Sequence, residues 1–468
     1  MAVLGERPVT GERGRVQVAG WRVSVIGAAR SGRAVARLLK AEGATVFVSD
    51  RDAAAAGAAE GLAREGIDAE FGGHSGRVQE ADLLVVSPGV PSDAPVLRSA
   101  AAAGRRVVSE LEVASWFWEG DILAVTGTNG KTTTTALLGR MLTDAGITAR
   151  VGGNIGTAFS ELVLEGDRRA TAVLEVSSFQ LDHCETFRPR VAALLNITPD
   201  HLDRYGGVFD QYVASKARIL MHQDAGDAVV YGADDATVRA VVARSARPSV
   251  LRLAFTSGEA VEEGAYLREG VLMHRLQEKE QPVIDADAIS IPGTHNLYNA
   301  MAASLAARCV GVSPARIRAT LRNFKGVEHR LEFVRELGGV RFINDSKATN
   351  VDAVRYALGS FSGPIVLLLG GRDKGNDYSV LGQPVRERVR AIVAIGESAA
   401  KVREAFGGIV PVEVAMTMEE AVERSRRQAR PGDVVLLSPA CASFDWFRNY
   451  EHRGEVFKAI VQSLEPAP

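Results

Sequence analysis

The chain has 468 residues, 46% of them hydrophobic, with 55 Lys and Arg against 57 Asp and Glu and a formal net charge of -2. That length accommodates two to four domains with cores of their own, and balanced charge without long single-sign blocks argues against a nucleic-acid groove or a polybasic membrane patch. Cys184, Cys309 and Cys441 are far apart and in no CxxC pair, which speaks against a disulfide scaffold or zinc site and for the cytoplasm, with small molecules as partners.

Residues 1–20 carry Glu6, Arg7, Glu12, Arg13 and Arg15 without an apolar core, and no apolar run of about 18 residues occurs anywhere. Neither an export signal nor a membrane span is expected, and these residues read as a loose arm. Beyond them, short apolar runs ending in glycine, serine or acid alternate with helical patterns, the rhythm of βαβ units in parallel sheets. A first block, 1–109, opens with "RVSVIG", continues through a helix near Arg33 to Ala41, has strands at "ATVFVSD" and "DLLVVSPG", and closes near Ser109. Its "VIGAARSG" followed by Asp50 imitates a dinucleotide fingerprint, but Ala29 replaces the middle glycine that permits close approach to a pyrophosphate. An NAD-dependent oxidoreductase is therefore one rival reading.

A second block, 110–326, starts with a helix around Glu110 to Trp118 and contains "VTGTNGKTTTT", "TAVLEVSS" and "VAALLNITPDHLDRY". It ends with a helix from Asn296 onward, and its polar stretch Ser257 to Asp287 reads as an irregular surface excursion. A third block, 327–468, has strands at "VRFIND", "PIVLLLGG", "AIVAIG" and "DVVLLSP". The expected fold is α/β in three domains: Rossmann-like, phosphate-loop ATPase with a parallel sheet, and Rossmann-like again.

"GTNGKT" combines glycines that let a backbone turn with its N–H groups inward, a following helix N-terminus, and a mobile cation. The usual NTPase pattern has another glycine where this chain has Val125, so the loop is a shorter variant; its bland reading is a glycine turn capping a helix. Lys131 is expected on the β and γ phosphates and the Thr132 hydroxyl on Mg²⁺. Glu175, at the end of "TAVLE", is the candidate hard-oxygen ligand, or else a solvated strand edge. Thr198 and Pro199 suit an N-cap and first helical position, so Asp200 and His201 are open to a role as helix-start dressing. A GTP-binding switch is a second rival, without the NKxD sequence that would read guanine: no Asn-Lys pair occurs.

Taken together, "GTNGKTTTT", "LEVSSFQL", "NITPDHLDRY", "GTHNLYNAMAA", "VEHRLE", "NDSKATN", "GGRDKGNDY" and "LLSPACASFDWFRNYEHRG" resemble the Mur ligase family. The phosphate loop alone is shared with folylpolyglutamate synthase, leaving another amide ligase of that superfamily as the alternative. "NDSKATN" and "SPACASFD" point to the members that add D-glutamate. The resemblance implies a sugar-nucleotide domain, a central ATPase domain and a domain admitting the amino acid. The implied reaction phosphorylates the carboxylate of UDP-N-acetylmuramoyl-L-alanine with ATP, after which the D-glutamate amine displaces phosphate, a step in cell-wall peptidoglycan synthesis. Such transfer between anions needs charge neutralisation and positioning more than acid–base chemistry.

Residue by residue, the resemblance implies ATP contacts at Gly127, Thr128, Asn129, Gly130, Lys131, Thr132, Thr133, Thr134, Asn296, Asn299, Arg330 and Asp345. It implies two magnesium ions on Thr132, Glu175, His201 and Lys216, with Lys216 carbamylated; from the residues alone Lys216 is a surface lysine on an amphipathic helix. Arg30, Ser31, Asp50, Arg51, Ser87, Asn154, Ser177 and Gln180 are implied for the sugar nucleotide. Lys347, Thr349, Lys374, Ser443 and Tyr450 are implied for D-glutamate, where two cations and two hydroxyls suit a dicarboxylate and Ser443 opens a helix. Bland readings stay open: turns and caps for the sugar-nucleotide residues, helix capping for Asn296 and Asn299, and an interdomain ion pair for Arg330 and Asp345. A monomer is expected.

Overall fold

The computed structural model describes residues 16–465 except 155, 259, 292, 362 and 374. Lys374 and the arm through residue 15 therefore lie outside the described residues. The loose arm does not extend to residue 20: Val18 is 1% exposed and belongs to the first core, with Val16 packed against it.

The described chain is α/β in three domains, each built on a largely parallel sheet. It divides into two compact units, one running to Ile289 and including Tyr298–Asn323, the other comprising Ser290–Leu297 and the chain from Phe324. In the first unit a five-stranded sheet has the spatial order Asp68–Phe71, Thr45–Asp50, Arg22–Ile26, Leu83–Val86, Arg106–Ser109, all parallel. A nine-stranded sheet follows in the same unit. Its strand Ile122–Thr126, third from one edge, lies between Val191–Leu194 and Thr171–Glu175, with Ala149–Gly153 at that edge. The inner strands read as continuous apolar runs because both faces are covered, as in Ile122–Thr126, buried at every position. The chain leaves Ile122–Thr126, builds the strands on one side, then crosses to the other, so the crevice at the carboxyl ends is a switch point where ligands bind in such sheets.

The polar stretch Ser257 to Asp287 is not an irregular excursion. Gly264–Arg268, Val271–Leu276 and Lys279–Asp285 extend the nine-stranded sheet, the last two antiparallel. Ala265, Tyr266, Leu272 and Val283 are buried, while Lys279, Glu280, Gln281 and Pro282 are exposed. Exposed polar positions at the strand ends break up the apolar signal that the inner parallel strands carry.

The second unit has a six-stranded sheet ordered Glu332–Leu337, Val340–Asn344, Val434–Leu437, Ile365–Gly370, Val389–Ile395, Val412–Val414, antiparallel only at its first pair. The helix Tyr450–Ser463 packs Phe457 and Val461 into one of its cores.

Within the first unit, the two sheets are joined through the helix Glu110–Trp116, whose N-cap Ser109 accepts from Glu112 N–H at 3.3 Å. The Glu112 carboxylate is fully buried and accepts from the backbone N–H of Glu185, Thr186 and Phe187 (3.1, 2.9 and 2.9 Å), the Thr186 hydroxyl and the Trp116 indole (2.9 Å). Removing the carboxylate orphans three backbone donors, that of Phe187 in a buried position, and the Trp116 indole N–H. Glu112→Ala is expected to lower stability to urea by about 3 kcal/mol; a loss below about 1 kcal/mol would show that water replaces the carboxylate there.

Candidate active site

The phosphate loop leaves the strand Ile122–Thr126 and runs into the helix Lys131–Asp144. Its two glycines sit where a side chain has no room. Gly127 has φ 155° and Gly130 φ 86°, and a Cβ on Gly130 would lie 2.3 Å from Asn299 Oδ1. Lys131 Nζ donates to the Gly127 and Thr128 carbonyls at 2.8 and 2.7 Å. Thr133 and Thr135 face inward along the helix with buried hydroxyls that have no partner, while Thr134 donates to Asn299 Oδ1 at 3.2 Å. Asn299 thus braces the loop rather than capping a helix; Asn296 is buried one turn earlier on the helix Thr294–Cys309.

The loop is held from the neighbouring strand end. Asn129 N–H donates to Asn196 Oδ1 at 2.8 Å, Asn196 Nδ2 returns to the Asn129 carbonyl at 3.1 Å, and Thr128 N–H donates to the Asn196 carbonyl at 2.9 Å. Thr128 Oγ1 donates to the Thr198 carbonyl (3.1 Å) and accepts from Thr198 N–H (3.0 Å), with Tyr212 Oη 3.1 Å away. Asp235, N-cap of the helix Ala236–Ser245, accepts from Ile197 N–H at 2.8 Å and fixes the other end of this segment.

No helix begins at Thr198–Pro199. The 196–201 segment is spent on that clamp, and His201 adopts a left-handed conformation (φ 52°) as the cap of the 3₁₀ turn Leu202–Tyr205. Its ring meets Phe179 edge-on, centroids 5.1 Å apart, and lies 3.6 Å from the Asp200 carboxylate.

The expected metal residues come together in part. Thr132 Oγ1 donates to Glu175 Oε2 at 2.7 Å, and Asn154 Nδ2 to Glu175 Oε1 at 3.1 Å, with Glu175 only 2% exposed. Hydroxyl and carboxylate oxygens at the head of a phosphate loop form a donor set that suits Mg²⁺. Among the described residues, His201 and Glu175 do not close into a cluster of three His, Cys or acid side chains. The one such cluster is Glu328, His329 and Glu332, and the Lys458 ammonium already bridges both of its carboxylates.

Lys216 is not on a surface. It is 1% exposed on the helix Phe209–Ala217, donates to the Gly127 carbonyl at 2.9 Å and lies 4.7 Å from the Tyr212 ring. Burial, and then the Lys131 charge, push its ammonium well below its ordinary range, against the pull of Asp200 and Glu175.

A second feature of this unit is a cavity of about 560 Å³ at the carboxyl ends of the five-stranded sheet, lined among others by Arg30, Ser31, Asp50, Arg51, Ser87 and Asn154. All six were expected at the sugar nucleotide. Asp50 receives the N–H of Ala28 at 2.6 Å and of Asp52 at 2.8 Å, so its carboxylate fixes the glycine turn. Ser177 and Gln180 do not line the cavity; they form a capping box on the turn Ser178–Leu181, which leaves the buried Gln180 Nε2 without a partner. His74 lines the cavity too, with Nδ1 2.7 Å from Ser49 Oγ. Arg204, another residue the sequence did not single out, donates to the carbonyls of Pro88 (3.2 Å), Gly89 (3.2 Å) and Val90 (2.9 Å) in the cavity wall, and its guanidinium covers the Phe179 ring at 4.3 Å. It ties the cavity to the His201 segment.

In the second unit, Arg330 and Asp345 line a small cavity with His295 and Tyr356. Asp345 accepts from the Ser438 hydroxyl at 2.8 Å and Leu331 N–H at 3.2 Å; burial raises its carboxyl to about 6, and Arg330 opposes that rise. Lys347 Nζ lies 5.5 Å from the Tyr450 ring, and Ser443 is buried. Ser443 does not open a helix. It sits in a turn closed by Phe447 N–H to its carbonyl (2.9 Å), and Asn449 caps the helix Tyr450–Ser463 by accepting from His452 N–H. Asn449 stands directly before the first helical residue and its side-chain oxygen meets the orphan N–H of His452, so the helix starts there.

Three family models match the chain: the N-terminal domain described as Mur ligase MurD-like over residues 21–109, the Mur ligase middle domain over 125–307, and the Mur ligase glutamate ligase domain over 329–441. The UDP-N-acetylmuramoylalanine–D-glutamate ligase of Salinibacter ruber is 50% identical over 95% of this chain and 98% of its own. The chain belongs to the Mur ligase family. The ligase of the same name from Chloroherpeton thalassium is 44% identical over 96% of this chain and 99% of its own. At the level of fold alone, this Mur ligase matches UDP-N-acetylmuramate-alanine ligase of Thermotoga maritima (TM-score 0.59, 18% identity, 95% of this chain and 99% of that one). It matches E. coli FolC similarly (TM-score 0.57, 18% identity, 75% of this chain and 92% of that one). ATP-dependent ligase chemistry replaces both rival readings, the oxidoreductase and the GTP switch.

Asn196 holds the phosphate loop through two side-chain hydrogen bonds to Asn129, and no ligand is needed for them. Asn196→Ala is expected to raise the KM for ATP about tenfold in steady-state turnover, because a loosened loop must be reordered on binding. An unchanged KM would show that the loop is held without it.

Proposed function

We propose that this Mur ligase joins D-glutamate to UDP-N-acetylmuramoyl-L-alanine at the expense of ATP, through an acyl phosphate, releasing ADP and phosphate. The observation that carries the reading is the meeting of Thr132 with Glu175 at the head of the phosphate loop, beside a buried Lys216. It is supported by relatives of that name matched over nearly their whole length.

In this reading the sugar nucleotide occupies the cavity lined by Arg30, Arg51 and Asn154, and Asn154 links that cavity to Glu175 through its amide. Lys131 and the loop N–H groups receive the ATP phosphates, with Arg330 and Asp345 supplying the further ATP contacts. Thr132, Glu175, His201 and Lys216 are the residues that would hold magnesium. A divalent cation there supplies the charge neutralisation that two approaching anions require. A neutral, buried lysine amine is the form that takes up CO₂ with loss of a proton, and the resulting carbamate would give Lys216 the anionic oxygens of a metal ligand.

The substrate carboxylate attacks the γ-phosphorus and ADP leaves. This converts a poor electrophile into one with a good leaving group. The D-glutamate amine then adds to the acyl carbon, and the tetrahedral adduct expels phosphate. Lys347, Thr349, Lys374, Ser443 and Tyr450 hold the amino acid; lysines and hydroxyls match its two carboxylates. We further infer a cytoplasmic monomer, in which free, buried cysteines are stable.

Phosphate release from ATP is expected only when both the sugar nucleotide and D-glutamate are present. Release with another amino acid in place of D-glutamate would overturn the substrate assignment. Lys216→Ala is expected to lose about 100-fold or more in kcat and to regain part of it with added short-chain carboxylic acids. Undiminished activity would remove the carbamate from the mechanism.

A further inference from the structure

The C-terminal unit buries a cation that none of the chemistry above uses. Arg453, one turn into the helix Tyr450–Ser463, is 1% exposed. Taking a guanidinium out of water is costly, and buried charges are ordinarily paired with an opposite one. All the hydrogen bonds of this one go to uncharged oxygens. Nε donates to Ser346 Oγ (2.9 Å), one terminal nitrogen to the Ser346 carbonyl (2.7 Å), and the other to the carbonyls of Cys441 (3.1 Å) and Ala442 (3.4 Å). Burial brings it down to about 10.

The carbonyls it holds belong to the segments next to the residues assigned to the amino acid. Ser346 precedes Lys347, and its hydroxyl also donates to the Tyr450 carbonyl at 2.8 Å. Ala442 precedes Ser443, and its carbonyl accepts in addition from Arg372 N–H at 2.9 Å, which draws in the segment after Ile365–Gly370. A Cβ on Gly371 would come within 2.5 Å of that same carbonyl and 3.3 Å of the guanidinium. Two segments distant in sequence therefore converge on one planar fork of donors, and a third joins them through Arg372 N–H on the Ala442 carbonyl. A trans peptide directs its C=O and N–H oppositely, so anchoring the Cys441 and Ala442 carbonyls turns the N–H groups of Ala442 and Ser443 away from Arg453.

We propose that Arg453 is a positioning residue for the incoming amino acid, its guanidinium fixing the 346–347 and 441–443 segments so that Lys347, Ser443 and Tyr450 face one dicarboxylate. The inference rests on the D-glutamate reading above. It explains why a costly charge sits here: a lysine offers one point of attachment and an apolar side chain none, whereas the fork spans both segments. Arg453 acts on the second half of the reaction, amide formation, and the carboxylate is phosphorylated before that step.

The test uses the full chain and separates the two halves. Acyl phosphate is trapped with hydroxylamine from ATP and UDP-N-acetylmuramoyl-L-alanine without D-glutamate, and amide formation is followed against D-glutamate concentration. For Arg453→Met the KM for D-glutamate is expected to rise about tenfold or more, with acyl-phosphate formation falling less than about threefold. Arg453→Lys should fall between this and the parent chain. Ser346→Ala, which removes one acceptor of the fork and its link to Tyr450, should show the same split more weakly, and it decides the matter together with Arg453→Lys if the methionine variant does not fold. Parallel loss of both halves, or an unchanged KM for D-glutamate, overturns the proposal. A parent chain that makes no D-glutamate-dependent amide overturns the functional reading itself.

Discussion

Two lysine side chains meet at one carbonyl. Lys131 and Lys216 both donate to the Gly127 oxygen, at 2.8 and 2.9 Å, and Lys216 has almost no contact with solvent. Two ammonium groups this close in a buried site repel, and the charge is relieved in only a few ways: one amine loses its proton, or anions arrive. The surroundings provide for both. Glu175 and Asp200 are near enough to act on Lys216, and the loop N–H groups and helix N-terminus await phosphate. The rest of the first unit holds this unstable meeting point in place, with Asn196 and Thr128 locking the loop to its neighbour and Asn299 filling the space over Gly130.

The same logic recurs in both units: an arginine gathers backbone carbonyls so that separate segments present their side chains to one ligand. Arg204 gathers Pro88, Gly89 and Val90 and stacks on Phe179, which makes the cavity wall and the His201 segment a single construction. Arg453 gathers Ser346, Cys441 and Ala442. Neither arginine is spent on an ion pair with a single acid. The guanidinium fork is suited to this because its donors lie in one plane in fixed directions.

What the sequence disclosed follows the range of the interaction. The phosphate loop was legible because strand, glycines, lysine and helix are contiguous, and Glu175 because it ends an apolar run. The three sheets were legible wherever strands are buried on both faces. The strands between Gly264 and Asp285, interrupted by exposed polar residues such as Lys279, Glu280 and Gln281, hid their pairing. Thr198 and Ser443 looked like helix starts because local capping chemistry suits them, yet the Thr128–Thr198 pairing and the Asn449 cap outcompete it. Asn196, Arg204 and Arg453 stand inside the quoted motifs, but their roles were not legible there, since each reaches across more than sixty residues of sequence to the backbone of Asn129, Val90 or Ser346. The burial of Lys216 was likewise invisible on an amphipathic helix.

The central claim is that the γ-phosphate is handed to a carboxylate and then displaced by an amine. Labelling the carboxylate of UDP-N-acetylmuramoyl-L-alanine with oxygen-18 and analysing the released phosphate by mass spectrometry tests it most directly. The account predicts that each amide formed delivers a single labelled oxygen to inorganic phosphate, because the oxygen bridging carbon and phosphorus leaves with the phosphate. Unlabelled phosphate, formed at the same rate as amide, would contradict it.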